Sequence, residues 1–324
     1  MAAFSKFRIV LPLTLLLLIG TWAFAEFLTP SKGARATAVG SLVGMDELLR
    51  RSFLAEEDFE AKKAPQPSDW LAQRKEDGQT YSQYRDSKPN RPGAGGRNTL
   101  YILPLGDFPE ETAPDLATLE KYMEHYYYPM PVKLLPNIRE EKLSTVGRIN
   151  NFTGQEQWHA GEMLRWLPSK LPKNCYGLLA VTMTDLYPGE DWNFVFGLAS
   201  YRERVGIFSF ARFRPSQEVD VEDKKIQNAI VLRRACKVLS HEMGHMFGIK
   251  HCVHYECNMN GANSLSEADS TPMHLCPVCL RKLQQAVGFD PLARYQGLKK
   301  FYLGNGFASE EKWLSKRMKW IEEG

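Results

Sequence analysis

An α/β (α+β) fold is predicted for this 324-residue chain by three observations. Two apolar runs of strand length, Thr99–Leu105 (TLYILPL) and Leu178–Thr184 (LLAVTMT), stand among segments of helical spacing. A continuous run such as Leu178–Thr184 suits a central strand buried on both faces. One long segment of helical period, from near Asp220 to Phe247, then covers this strand-rich half. The length allows one large or two small domains. The apolar content is ordinary and supports a packed core.

At the N-terminus, Lys6 and Arg8 precede an uncharged apolar run, Ile9–Ala25. It is short for a spanning helix and long for a signal core. Ala23-Phe24-Ala25 resembles a small-x-small cleavage site. Residues 1–25 are therefore expected to be a signal peptide or signal anchor. Either outcome directs the chain into the secretory pathway, secreted or held in the membrane through residues 9–25, with the part that follows the run in the lumen. A cytoplasmic location is the alternative. Asn151-Phe152-Thr153 fits the N-glycosylation pattern. Residues 26–97 are polar and broken by Pro and Gly, with one short helix over Met45–Phe59 and a loop from Lys88 to Gly96. Holding no His or Cys, they are expected to form a stalk or pro-like extension, loosely packed and without a catalytic role.

Residues 98–295 carry the main unit. After the strand Thr99–Leu105, a helix is expected over Ala113–Tyr128, a short strand over Val132–Leu135, and a short helix over Trp158–Leu167, ended near Pro168. Leu178–Thr184, Phe194–Ser200 and Val205–Phe210 read as strands, the last two joined by the charged stretch Tyr201-Arg202-Glu203-Arg204. On the long helix, at about 100° per residue, Leu232, Ala235, Cys236, Leu239, Met243, Met246 and Phe247 form one stripe. His241 and His245 fall on the opposite side, towards a cleft. Residues 296–324 are expected to be one C-terminal amphipathic helix, bearing Phe301, Tyr302, Trp313 and Trp320, that docks on the core.

The stretch His241–Cys257 reads HEMGHMFGIKHCVHYEC. Two histidines four apart on a helix project from one face. Neutral imidazoles at that spacing reach one Zn²⁺ at about 2.0–2.1 Å. Glu242, between them, is placed to act on the attacking water instead of the metal. Gly248 lets the chain leave the helix sharply, so that His251 can return as a third ligand. Three protein ligands with a fourth position open are the mark of a catalytic zinc. Four cysteines follow, Cys252, Cys257, Cys276 and Cys279, and they fit either a structural zinc held by four thiolates or two disulfides. Six cysteines in this length do not make a disulfide scaffold. Cys175 and Cys236 read as buried thiols. His254 and His274 lie beside the cysteines and read as bystanders, and His125 and His159 as surface or capping residues.

The extended pattern H-E-x-x-H-x-x-G-x-x-H-C-x4-C-x-M, with C-x-x-C after it, resembles that of the archaemetzincins, a metzincin family, and every position is present. Asp185-Leu186-Tyr187-Pro188, Trp192–Gly197 and Gly206–Arg212 resemble strand segments of an animal branch of that family. The resemblance covers roughly Thr99–Tyr295. It implies a twisted mixed sheet with an active-site helix on the floor of a cleft and a small C-terminal part braced by zinc. It implies two Zn²⁺ per chain, Met259 as the turn methionine below the catalytic one, and an extended peptide or protein substrate along the edge strand Phe194–Ser200. The implied activity is zinc-dependent peptide hydrolysis with Glu242 as general base. The alternative is a zinc-stabilised interaction or scaffold protein with little turnover. With 41 basic and 38 acidic residues, the net charge of +3 points to no nucleic-acid partner. A monomer is expected.

Overall fold

The computed structural model describes residues 27–54, 58–143, 147–215 and 223–323, and the apolar run Ile9–Ala25 lies outside them. Among the described residues, no helix is long and apolar enough to cross a membrane. The strands in chain order are β1 Thr99–Leu105, β2 Val132–Leu134, β3 Gly147–Ile149, β4 Glu156–His159, β5 Cys175–Thr182, β6 Asp185–Tyr187, β7 Gly197–Ser200 and β8 Val205–Ser209. They make a mixed five-stranded sheet in the order β2-β1-β5-β8-β7 and a small one in the order β3-β4-β6. In the larger sheet only β7 runs antiparallel to its neighbour, and it forms one edge. The chain is thus α/β, as the interleaved runs predict.

Every residue of β1 and β5 is buried, because alternate side chains feed two cores. Leu100, Ile102, Leu179 and Val181 pack with the long helix Lys224–Met246 through Ala235, Leu239, Met243 and Met246. Tyr101, Leu103, Leu178 and Ala180 face the other way, onto Ala160, Met163 and Leu167. The apolar stripe of the long helix is therefore its sheet-facing side.

Several expectations are corrected. Trp158 belongs to β4, and the following helix begins at Ala160 with His159 as its cap, accepting from the Glu162 backbone N–H at 3.3 Å. The central strand β5 begins at Cys175, three residues before the expected Leu178. The C-terminal segment is two helices, Pro291–Gly304 and Ala308–Glu323, because Gly306 takes a left-handed backbone (φ 74°) between them.

The stretch before β1 departs furthest from expectation. Where one helix is expected, its described residues form four short ones, Lys32–Val39, Glu47–Ser52 (capped by Asp46), Trp70–Gln73 and Tyr81–Asp86. Ala38, Val39, Phe53, Phe59 and Tyr84 belong to the main core. Arg281 donates to the carbonyls of Val39 and Ser41. Arg317, fully buried, donates to the carbonyls of Arg51, Ser52 and Leu54 at 2.8–3.2 Å and pairs with Asp58. Trp313 Nε1 donates to Asp58 O at 2.9 Å. The packing is close, not loose. Its partners are mostly backbone carbonyls and arginines far away in sequence, which leave no periodic apolar signature.

Candidate active site

The long helix delivers His241 and His245 to a cleft and stops immediately afterwards. Gly248 ends it with φ 80°, its N–H bonded to His245 O at 2.8 Å. A β-carbon there would also come within 3.0 Å of Pro89 Cβ. The reversed chain brings His251 back, so that the three ring centroids stand 4.6, 5.0 and 5.4 Å apart. Their candidate ligand atoms all lie within 4.8 Å of one another.

Each ring is oriented through Nδ1. His241 faces Asn258 O at 2.7 Å, His245 faces Ile249 O at 2.6 Å and His251 faces Glu76 Oε1 at 2.8 Å. These oxygens can only accept, so Nδ1 carries the proton and Nε2 presents its lone pair. Burial above all, with the neighbouring imidazoles, lowers His241 to about 4 and His245 well below the ordinary histidine value, so both are neutral near pH 7. The Nε2 atoms of His241 and His245 are 3.0 Å apart with no proton between them. Two facing lone pairs repel, and a shared cation removes that repulsion. The donor set therefore fits a zinc ion.

Glu242 is half-buried on the same cleft, and burial lifts its carboxyl to about 8. The cleft has a volume of about 570 Å³ and is lined by Phe196, by Gly197–Ala199 of the edge strand, and by Trp70, Arg74, Asn260 and Leu265. Tyr201, in the charged turn after β7, stands over His245 with ring centroids 5.1 Å apart, and burial raises its phenol. Met259 packs directly under Gly244.

The four clustered cysteines are buried, and none is in a disulfide. Their sulfurs lie within 4.8 Å of one another, with Cys252 and Cys276 at 3.5 Å. Disulfide sulfurs would be about 2.0 Å apart. Cys257 Sγ accepts from the backbone N–H groups of Met259 and Cys276 at 3.4 and 3.2 Å. An acceptor sulfur among four is the chemistry of a thiolate metal site. Cys175 and Cys236 are buried thiols away from it.

His254 and His274 lie outside both clusters, and His274 stacks on Trp313 at 3.6 Å. His125 is half-buried. Asp185 and Asn193 do not line the cleft: Asp185 forms a bidentate pair with Arg212 and accepts from Gln157, while Asn193 O also accepts from Gln157. They fasten the small sheet. Sequence reasoning missed Glu76, Asn258 and Tyr201. The first is distant in the chain, the second acts through its backbone carbonyl, and the third resembles a loop residue.

Residues 174–285 match the family model described as Peptidase family M54. The chain is similar to archaemetzincin-2 of Pongo abelii and of Homo sapiens, each 34% identical over 280 residues, covering 79% of this chain and 78% of the relative. Archaemetzincin-1 of Homo sapiens is 31% identical over 255 residues, 71% of this chain and 51% of the relative. Among solved structures, archaemetzincin from Methanopyrus kandleri matches at 27% identity with a TM-score of 0.43, covering 60% of this chain and 98% of that one. Archaemetzincin from Archaeoglobus fulgidus, complexed with malonate, matches at 26% identity with a TM-score of 0.41, covering 57% and 99%.

Proposed function

The chain belongs to the archaemetzincin family of zinc metallopeptidases, and from that premise we propose that it hydrolyses peptide bonds with Glu242 as general base beside a zinc held by His241, His245 and His251. The observation that carries this reading is the approach of the His241 and His245 Nε2 atoms to 3.0 Å, each ring's Nδ1 held on a backbone carbonyl, with the half-buried carboxyl of Glu242 on the next residue. Zinc, when bound there, supplies a water acidified towards neutral pH and an electrophile for the substrate carbonyl.

The chain's own residues do the rest. Glu242 takes a proton from the water as it attacks and hands it to the leaving amine. Burial raises this carboxyl, and a cation held by the three imidazoles would draw it back to the carboxylate form that accepts a proton. The free edge of β7 suits an extended substrate, which can add to it as a further strand. Tyr201, over His245, stands where it can donate to charge developing on the carbonyl oxygen. A second zinc on Cys252, Cys257, Cys276 and Cys279 would brace the chain that carries His251 and Met259.

The test is a peptide-library digest by the purified chain and by Glu242→Ala. The variant should keep its fold and metal while hydrolysis falls by about 10²–10⁴. Undiminished hydrolysis by a clean preparation would overturn the assignment.

A further inference from the structure

We infer that Glu76 is a positioning residue of the three-histidine site: its carboxylate orients His251 and strengthens that ring's hold on the metal, which makes residues 70–84 a working part of the site. This rests on the zinc reading above.

His251 is the ligand most in need of support. His241 and His245 are fixed by their helix, whereas His251 follows the turn in no regular element. The first two rings donate to backbone carbonyls of the same C-terminal unit. His251 alone donates to a carboxylate, and that carboxylate comes from 175 residues earlier. A carboxylate on Nδ1–H pulls the proton more strongly than a carbonyl does, so Nε2 becomes the more basic donor to a metal. Glu76 and His251 are both half-buried, where the pair is poorly screened by solvent.

The neighbours of Glu76 hold the same turn. Trp70 meets His251 edge-on at 5.0 Å, and its backbone N–H is fixed to Glu267 at 2.9 Å. Gln79 spans the turn, donating to Gly248 O at 3.3 Å and accepting from Lys250 N at 3.2 Å. Tyr84 donates to Phe247 O at 3.0 Å. Four side chains within fifteen residues thus splint Phe247–His251. Such convergence on one turn is not what a detachable pro-segment or a passive stalk would show. Cleaving the stretch away would strip the third ligand of its partner.

The experiment measures zinc affinity by chelator competition on the full chain and on Glu76→Ala and Glu76→Gln, together with melting of the zinc-free proteins. It adds the visible spectrum of each after cobalt substitution. Glu76→Ala should bind zinc at the histidines about 10–100-fold more weakly. Glu76→Gln should fall between, since an amide oxygen still accepts from Nδ1–H but brings no charge. Zinc-free melting should stay close to that of the unaltered chain, and the cobalt spectrum should shift. Affinity and spectrum unchanged in both variants would overturn the inference, as would a loss explained wholly by lower zinc-free melting. If His241→Ala binds as much zinc as the unaltered chain, the zinc reading fails, and this inference with it.

Discussion

Met259 lies against Gly244 under the two helical histidines: a β-carbon on Gly244 would stand 2.7 Å from the Met259 sulfur and 3.1 Å from its methyl carbon. Met259 is fully buried, so the sulfur has nowhere cheap to go. The methionine therefore sets the height of the helix floor at the turn that presents His241 and His245.

Gly244→Ala should be destabilising in spite of the better helix propensity of alanine. Overpacking costs about 1–3 kcal/mol, and the propensity gain offsets up to about 1 kcal/mol. A net loss of roughly 1 kcal/mol in denaturant unfolding is expected, with weaker zinc retention. A more stable variant with unaltered metal binding would show that the contact is slack.

Metal analysis should give two zinc ions per chain, one of them released slowly, because four-thiolate sites are closed to competitors. Thiol titration after denaturation should find all four clustered cysteines reduced. One zinc, with no free thiols at Cys252, Cys257, Cys276 and Cys279, would instead favour two disulfides.

Lys237 gives the stability a pH dependence. Burial, with help from Arg233, pulls it down to about 7, while Asp269 and Glu310 act the other way. It donates to the carbonyls of Ala268 and Thr271 and to Thr271 Oγ1. A lysine whose folded value is depressed is held deprotonated by the fold while the unfolded chain still binds the proton. Its penalty is full below about pH 7 and is relieved as pH rises towards the unfolded value of 10.5. Between pH 7 and 9.5 the unaltered chain should therefore gain stability relative to Lys237→Met, by at most about 1.4 kcal/mol per pH unit. A flat or falling difference in paired chemical melts would refute this.

Location is open to direct measurement. Lys6 and Arg8 ahead of Ile9–Ala25 should keep the N-terminus cytoplasmic and send the catalytic part into the lumen. Asn151 is exposed in a turn and accessible to glycosylation. Translated with sealed microsomes, the catalytic part should resist protease and gain mass at Asn151. Digestion without detergent, with no mass change, would place it in the cytosol.

The three-histidine core of the site could be read from the chain because its spacing is local. The His241–His245 pair, the turn at Gly248 and the return of His251 all lie within eleven residues, where helix geometry alone fixes direction. β1 was equally readable, since burial on both faces leaves a run without polar interruption. Trp158 misled because an aromatic residue in a short β4 beside a helix start carries no period of its own. Glu76 could not be found at all: its role exists only after the chain has closed over 175 residues. The break at Gly306 was overlooked since the aromatic residues on both sides continue the same apolar character.

The grip of Arg317 on Arg51, Ser52 and Leu54 bears on how the protein is made. The last helix holds the carbonyls of one of the first segments, so the two ends of the described chain close a ring. On a ribosome the early segment emerges long before its partner, which lies 263 to 266 residues further on. Growing chains commonly fold from the N-terminus onwards, but here the beginning cannot finish before the end. The packing of the early segment is therefore completed only once the helix bearing Arg317 is available to it.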